Sequence, residues 1–268
     1  MRKRNGFTLI EMVVSIIILG VISLGLINFG LIGGSIYSDT RNRDQMLSEA
    51  RFVLERVQRD VRNSVPMSLR TDSSCTEFVP IIYAGKYNPS KLTIPTNDLP
   101  LSRQFTADEL SNIKAKCTVG NATNCQVTIF PDEVSDIYDP SSSPDTQPLD
   151  IANIDADPEL LPFTSPLNVS KQTASSRFYI YQNSAVAYCV VGSSMYRYSN
   201  YGLNSNLNDV LSSGVGVLIA THINPAKTGF DFGSSGLQQH GLLHIKLTLN
   251  RFGDEMEFYH NAHILNAQ

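Results

Sequence analysis

Residues able to do chemistry are few in this chain of 268 residues, and their spacing argues against catalysis. The histidines include two close pairs, His240 with His244 and His260 with His263. A zinc peptidase needs two histidines one helical turn apart, with a glutamate beside the first. Here Gly241, Leu242 and Leu243 separate the first pair, in a stretch whose alternation predicts a strand. The histidines therefore read as polar-face residues. No phosphate-binding glycine loop, dinucleotide fingerprint or nucleophile elbow is present. No set of residues supplies nucleophile, base and charge stabiliser together, so no catalytic or metal-binding residue is assigned and the chain is expected not to be an enzyme. One ionisable residue stands out by its surroundings. Glu11 is the single charge between Phe7 and Ser38, in an otherwise apolar run. A carboxylate at membrane depth is expensive and needs a reason.

The element that holds Glu11 is a helix. A bilayer crossing takes about 20 apolar residues, and residues 7–38 exceed that length. Arg2, Lys3 and Arg4 precede the run, so the positive-inside rule keeps the N-terminus cytoplasmic and puts everything after Ser38 across the membrane. A secretory signal peptide has a shorter apolar stretch followed by a small-residue cleavage site; here the glycine, Gly6, comes before the stretch. A plain anchor fits the length but leaves Glu11 unexplained. Beyond the run, Met46, Ala50, Val53, Val57 and Val61 recur at helical spacing, with Leu47 and Leu54 widening the stripe. Arg51, Glu55, Arg56, Arg59, Asp60 and Arg62 fill the other faces as a solvated surface. Pro66 marks the end of this amphipathic half, residues 39–65. A helix from Phe7 to Asn63 would be on the order of 85 Å long at 1.5 Å per residue.

Residues 66–268 read as a β-rich head. Strand candidates are Glu77 to Tyr83, Gln126 to Phe130, Arg177 to Gln182, Ala185 to Val191, Ser194 to Ser199 and Val217 to Ile223. The clearest is GLLHIKLTLN, which Gly253-Asp254 turns into a C-terminal hairpin. The fold class is α+β, with an antiparallel sheet packed on the first helix. Between the strands, residues 131–166 hold seven prolines and many carboxylates, without apolar periodicity. This predicts a long acidic surface loop, with a calcium site as the sharper alternative because calcium takes several oxygen ligands. The net charge of −4 gives no case for nucleic-acid binding.

The stretch Gly6-Phe7-Thr8-Leu9-Ile10-Glu11, behind a basic leader and ahead of an uncharged helix, resembles the cleavage site of type IV prepilins and type II secretion pseudopilins. The resemblance implies that a prepilin peptidase cuts between Gly6 and Phe7, removes residues 1–6 and methylates Phe7. It implies that residues 7–38 anchor the chain in the inner membrane and later pack in a filament. Glu11 would then pair with the amino terminus of a neighbouring subunit. A buried carboxylate needs such a partner. Partners implied are the peptidase, other minor and major pilins, the inner-membrane assembly machinery and, before assembly, lipid. The head would be periplasmic and finally at the cell surface. Gly20 sits where pilins carry a glycine, whereas Asn28 replaces the proline of many major pilins.

Four cysteines, Cys75, Cys117, Cys125 and Cys189, lie beyond the anchor, in an oxidising compartment. They lack the CxxC spacing of a zinc site and permit three pairings. The short polar loop between Cys117 and Cys125 favours local pairing, which leaves Cys75 with Cys189. Major pilins usually close a loop nearer the C-terminus. The stretches ARFVLERVQRDVRNSVP, CTEFVPIIYAG and RFYIYQNSAVAYCVVGSSMYRYS resemble instead the larger minor pilins of the MSHA and PilW kinds and GspJ-type pseudopilins. Two functional classes follow: a structural subunit that primes or caps a filament, and a binding module presented at its tip.

Overall fold

The computed structural model describes residues 8–119, 122–129, 131–168, 175–203, 206–232 and 242–264. Two compact units divide the chain, Met1–Ser48 and Glu49–Gln268. In chain order the elements begin with α1 (Leu9–Arg62), β1 (Arg70–Thr71), β2 (Cys75–Phe78), β3 (Ile81–Lys86) and β4 (Thr96–Pro100). There follow α2 (Ala107–Cys117), β5 (Thr118–Val119), β6 (Ala122–Thr123), β7 (Cys125–Thr128), α3 (Ser135–Tyr138), β8 (Thr146–Pro148) and β9 (Leu160–Leu167). The rest comprises β10 (Arg177–Gln182), β11 (Ala185–Val191), β12 (Ser194–Tyr201), α4 (Val210–Ser213), β13 (Val215–Ala220), β14 (Gly229–Phe232), β15 (Leu242–Arg251) and β16 (Asp254–His263). The fold is mixed α+β, an N-terminal apolar helix followed by antiparallel sheets, consistent with a pilin-like fold.

Three sheets make up most of the second unit, in the orders β1-β2-β11-β12-β13, β3-β10-β7-β8 and β14-β15-β16. Residues 49–62 of α1 enter this unit with Ala50, Val53, Val57 and Val61 fully buried. Three polar contacts fix that helix face. Asp60 accepts from the Tyr188 hydroxyl at 2.8 Å and from Arg197 Nε at 2.9 Å. Glu49 Oε1 accepts from the backbone N–H of Thr221 at 2.6 Å. Gln58 Oε1 lies 3.0 Å from His260 Nε2. The helix is thus bound to both the five-stranded and the three-stranded sheet.

Strand β10 shows how the core divides. Phe178 and Ile180 point into a cluster with Leu99, Ile113, Val127 and Leu161, whereas Tyr179 and Tyr181 point into another with Val65, Ile137 and Ala187. The period of two in a strand sends successive side chains to opposite faces, so a strand buried on both faces reads as a continuous apolar run.

Two local expectations are corrected, and one element is new. Residues 131–166 are no detached loop: they supply α3, β8 and most of β9 and bury Ile137, Leu149, Leu161 and Phe163. Their short pieces join different sheets, so no single period runs through them. Helix α2 has no counterpart in the sequence reading, although its signal was present. Thr106 and Glu109 form a reciprocal capping box at its start. The C-terminal hairpin turns at Phe252 and Gly253, both at positive φ (51° and 88°), and Asp254 already belongs to β16. Positive φ at both central positions is the type I′ pattern, whose twist matches that of the strands.

Glu109 also carries a pH-dependent contribution. Arg103 donates to both of its carboxylate oxygens, at 2.9 and 2.6 Å, and the Thr106 N–H donates at 2.9 Å. The Arg103 hydrogen bonds, then the Thr106 backbone, lower its carboxyl to about 2 from the ordinary 4.5. A depressed acid stabilises the fold above its unfolded value and loses that stabilisation as pH falls through the folded value. Denaturation midpoints of the full chain in micelles should therefore drop between pH 4.5 and about 2 by an amount that Glu109→Gln removes. Thr106→Ala should cost about 1 kcal/mol throughout.

Candidate functional site

The N-terminal segment is the first candidate. Gly6 and Phe7, the expected cleavage residues, lie outside the described residues together with the rest of the leader. Description begins at Thr8, and there Glu11 has partners within its own chain. Glu11 Oε2 accepts from the Thr8 backbone N–H at 3.0 Å and from Thr8 Oγ1 at 2.9 Å. The Glu11 N–H in turn faces Thr8 Oγ1 at 3.4 Å. This is a capping box one residue ahead of α1: a threonine N-cap with a glutamate at the third helical position. The sequence reading passed over Thr8, though the T-x-x-E spacing is its signal. A carboxylate that accepts two hydrogen bonds near a helix N-terminus, where the macrodipole favours negative charge, is better tolerated at an apolar depth than a bare one.

Residues Leu9–Leu26 have a mean hydropathy of 2.6 and none of the window is buried, so α1 is long and apolar enough to cross a membrane by length and composition. The two hydroxyls of this window do not break that surface. Ser15 and Ser23 each donate to the carbonyl four residues back, at 2.7 Å. Side chains at Gly20, Gly25, Gly33 or Gly34 would meet nothing within the chain. Small residues at open positions let another helix approach closely.

The cysteines form two disulfides, Cys75–Cys189 and Cys117–Cys125. The first joins β2 to β11 across directly paired residues. Two residues on, Glu77 is fully buried. It pairs with Arg70 and accepts from the Tyr201 hydroxyl at 2.9 Å, while the Arg70 guanidinium lies 3.8 Å from the Tyr138 ring centre. Burial pushes the Glu77 carboxyl upward against the pull of Arg70 and Tyr201. Sequence reading missed this cluster, because Arg70 and Tyr201 lie in strands that meet only on folding. A buried, partnered charge of this kind ties strands together.

The histidines and the acidic stretch are not gathered into a site. His244 Nδ1 lies 2.7 Å from Asn261 Oδ1, His260 contacts Gln58, and His240 lies outside the described residues. Asp136 Oδ2 accepts from the N–H groups of Asp132 and Glu133, Asp150 from Ala152 and Asn153, and Asp155 pairs with Lys114. Among the described residues, no group of three His, Cys, Asp or Glu side chains is placed to hold a metal ion.

Against known families, residues 1–27 match the prokaryotic N-terminal methylation motif. No curated protein and no solved structure matches the chain. The motif supports a type IV pilin- or pseudopilin-like protein. It implies processing by a prepilin peptidase and assembly with other pilins, and with the apolar helix it is consistent with a membrane-anchored pilin. A motif of this kind points to a pilin-type structural protein.

The capping geometry predicts that Thr8→Val, nearly isosteric but without the hydroxyl, frays the first turn of α1. Amide exchange at Glu11 and Met12, whose N–H groups bond to Thr8, should quicken about five-fold in micelles, the effect of losing roughly 1 kcal/mol of cap, and Thr8→Ser should restore it.

Proposed function

We propose that this chain is a minor pilin of the MSHA type, similar to the biogenesis protein MshO, which primes or caps a filament after its leader is removed at Gly6. The observation that carries this reading is the methylation motif over residues 1–27 joined to an uncharged helix whose single acid follows five residues after Gly6. Assembly then supplies what the isolated helix lacks: an apolar surround for Leu9–Leu26 and close neighbours at its glycines. Glu11 has two tasks in this scheme. Within the chain it closes the capping box with Thr8. Between chains its charge pairs with the methylated ammonium of Phe7 in a neighbour. The upstream cysteines and the size of the head favour a minor over a major subunit. Catalysis has no place in this role, and calcium, if bound at 131–166, would be structural.

A GspJ-like pseudopilin of a secretion system shares every one of these features and differs in its partners. A tip binding module is favoured by one further feature, an open groove of about 610 Å³ whose lining includes His244, Lys246, Tyr259 and Asn261.

Three experiments test the proposal. Gly6→Leu should abolish cleavage, because the peptidase must fit the residue before the cut; a mature chain beginning at Phe7 in that variant would remove the prepilin reading. Deletion should abolish surface pili, whereas normal pili with lost adhesion would favour the tip module. Glu11→Gln keeps an acceptor for Thr8 and loses the charge. It should insert and be cleaved normally yet co-purify with partner pilins about ten-fold less, as expected when an ammonium is left unpaired in an apolar setting. Wild-type co-purification of Glu11→Gln alongside a defective Glu11→Ala would assign the residue to capping alone.

A further inference from the structure

The free strand edges of the second unit are treated unequally. Strand β16, at one edge of its sheet, exposes Glu255 and Glu257, which pair with Lys227 and Lys246. Strand β1 has two residues, and β8 has three and ends in Pro148. Charge, brevity and proline are the usual means of blocking edge pairing. Strand β13 has none of them. Its six residues, Val215 to Ala220, contain no charge and no proline, and it ends the five-stranded sheet. Val215, Val217 and Leu218 are 62%, 55% and 51% exposed. Among the described residues no strand pairs with its outer edge.

The exposed side chains lie on both faces of the strand. Val217 is paired with Arg197, which bonds to Asp60 of α1, so Val217 and Val215 lie on the helix side of the sheet. Leu218 is paired with Tyr196 and lies on the other side. On α1, Glu49, Phe52, Arg56 and Asp60 follow at steps of three and four and share one flank. Glu49 reaches Thr221 just past β13, and Asp60 reaches β12, so Phe52, 52% exposed, lies on the flank beside this edge. Gly216 makes the edge flat: a side chain there would come within 2.8 Å of the Tyr198 ring, which lies across it.

We infer that β13 is a docking edge that accepts an extended, uncharged strand from a different prepilin-type subunit. An added strand satisfies the free N–H and C=O row while its alternate side chains cover Val217 with Phe52 on one face and Leu218 on the other. A charged segment would lose hydration there against a strand that itself carries no charge. A second copy of this chain fits poorly. Antiparallel pairing of β13 with itself needs a two-fold axis normal to the sheet. Such an isologous pair closes on itself, whereas the filament of the prepilin reading grows by heterologous contacts. The inference rests on the prepilin reading for the class of partner.

The test uses the full chain co-expressed in membranes with the other subunits that carry the methylation motif. A photo-reactive amino acid at Val215 or Val217 should form an adduct with one of those subunits, mapped by mass spectrometry to an uncharged extended segment; the same amino acid at the exposed Phe252, in the turn before β16, should not. Val217→Lys with Leu218→Lys should lower co-purification about ten-fold, the scale of losing an interface anchor, with membrane content and both disulfides unchanged. The docking edge is overturned by adducts with a second copy only, by no adduct at either valine while the subunits still co-purify, or by wild-type co-purification of the double variant. Cleavage after Gly6 is scored in the same samples: if it is intact, any of these results removes the docking edge and leaves the prepilin reading standing.

Discussion

The second unit is organised by the burial of one face of α1, from Ala50 to Val61, against two sheets. Each buried valine contributes about 1.5–3 kcal/mol relative to exposure, but apolar burial is non-directional and does not set the helix's rotation or height. The carboxylates do. Asp60 has two donors from the five-stranded sheet, Tyr188 and Arg197, and Glu49 takes the N–H of Thr221. Shifting the helix by one residue would strand both acids against apolar neighbours. Burial, with the adjacent Asp60 charge, pushes the Tyr188 phenol upward and so keeps it a donor.

Around that helix the strands are tied at a few non-local points. The disulfide Cys75–Cys189 closes a separation of 114 residues, and a loop of that size corresponds to roughly 4–5 kcal/mol on the chain-entropy account. The Cys117–Cys125 bond closes a separation of 8 and adds roughly 2–3 kcal/mol on the same account. The buried Glu77 sits beside the longer bridge and draws in Arg70 of β1 and Tyr201 of β12. Covalent and ionic ties therefore converge on the same pair of strands, β2 and β11. Those strands continue through β12 to β13, so the apolar edge is carried on the most heavily tied sheet of the head. A rigid edge loses less entropy on pairing than a mobile one.

Function in this scheme is divided along the chain. The N-terminal segment carries the processing and anchoring chemistry and needs little beyond its own helix. The head carries selectivity, through surfaces that its sheets assemble. The two fit a subunit whose task is to recognise other subunits, because both the unburied apolar helix and the unblocked edge are surfaces that a solitary soluble protein would keep covered.

By itself the sequence determined everything that rests on local spacing. The apolar run with its single acid, the stripe Ala50, Val53, Val57 and Val61, the strands Arg177–Gln182 and Ala185–Val191 and the α+β class were all legible, because helix and strand periods act over neighbouring residues. So was the methylation motif, which lies within 27 residues. Two capping boxes, Thr8 with Glu11 and Thr106 with Glu109, were equally local and went unread beside stronger apolar signals. What only the tertiary structure decided was non-local. Asp60 read as part of a solvated helix face and Glu77 only as the start of a strand, until folding brought them Tyr188 and Arg197, and Arg70 and Tyr201. The acidic stretch 131–166 looked like a loop because its buried apolar residues are scattered over α3, β9 and the segment between β8 and β9, with no common period. Val217 to Ile223 read only as a strand candidate, and only the order of strands showed that the apolar residues of β13 stand at a sheet edge.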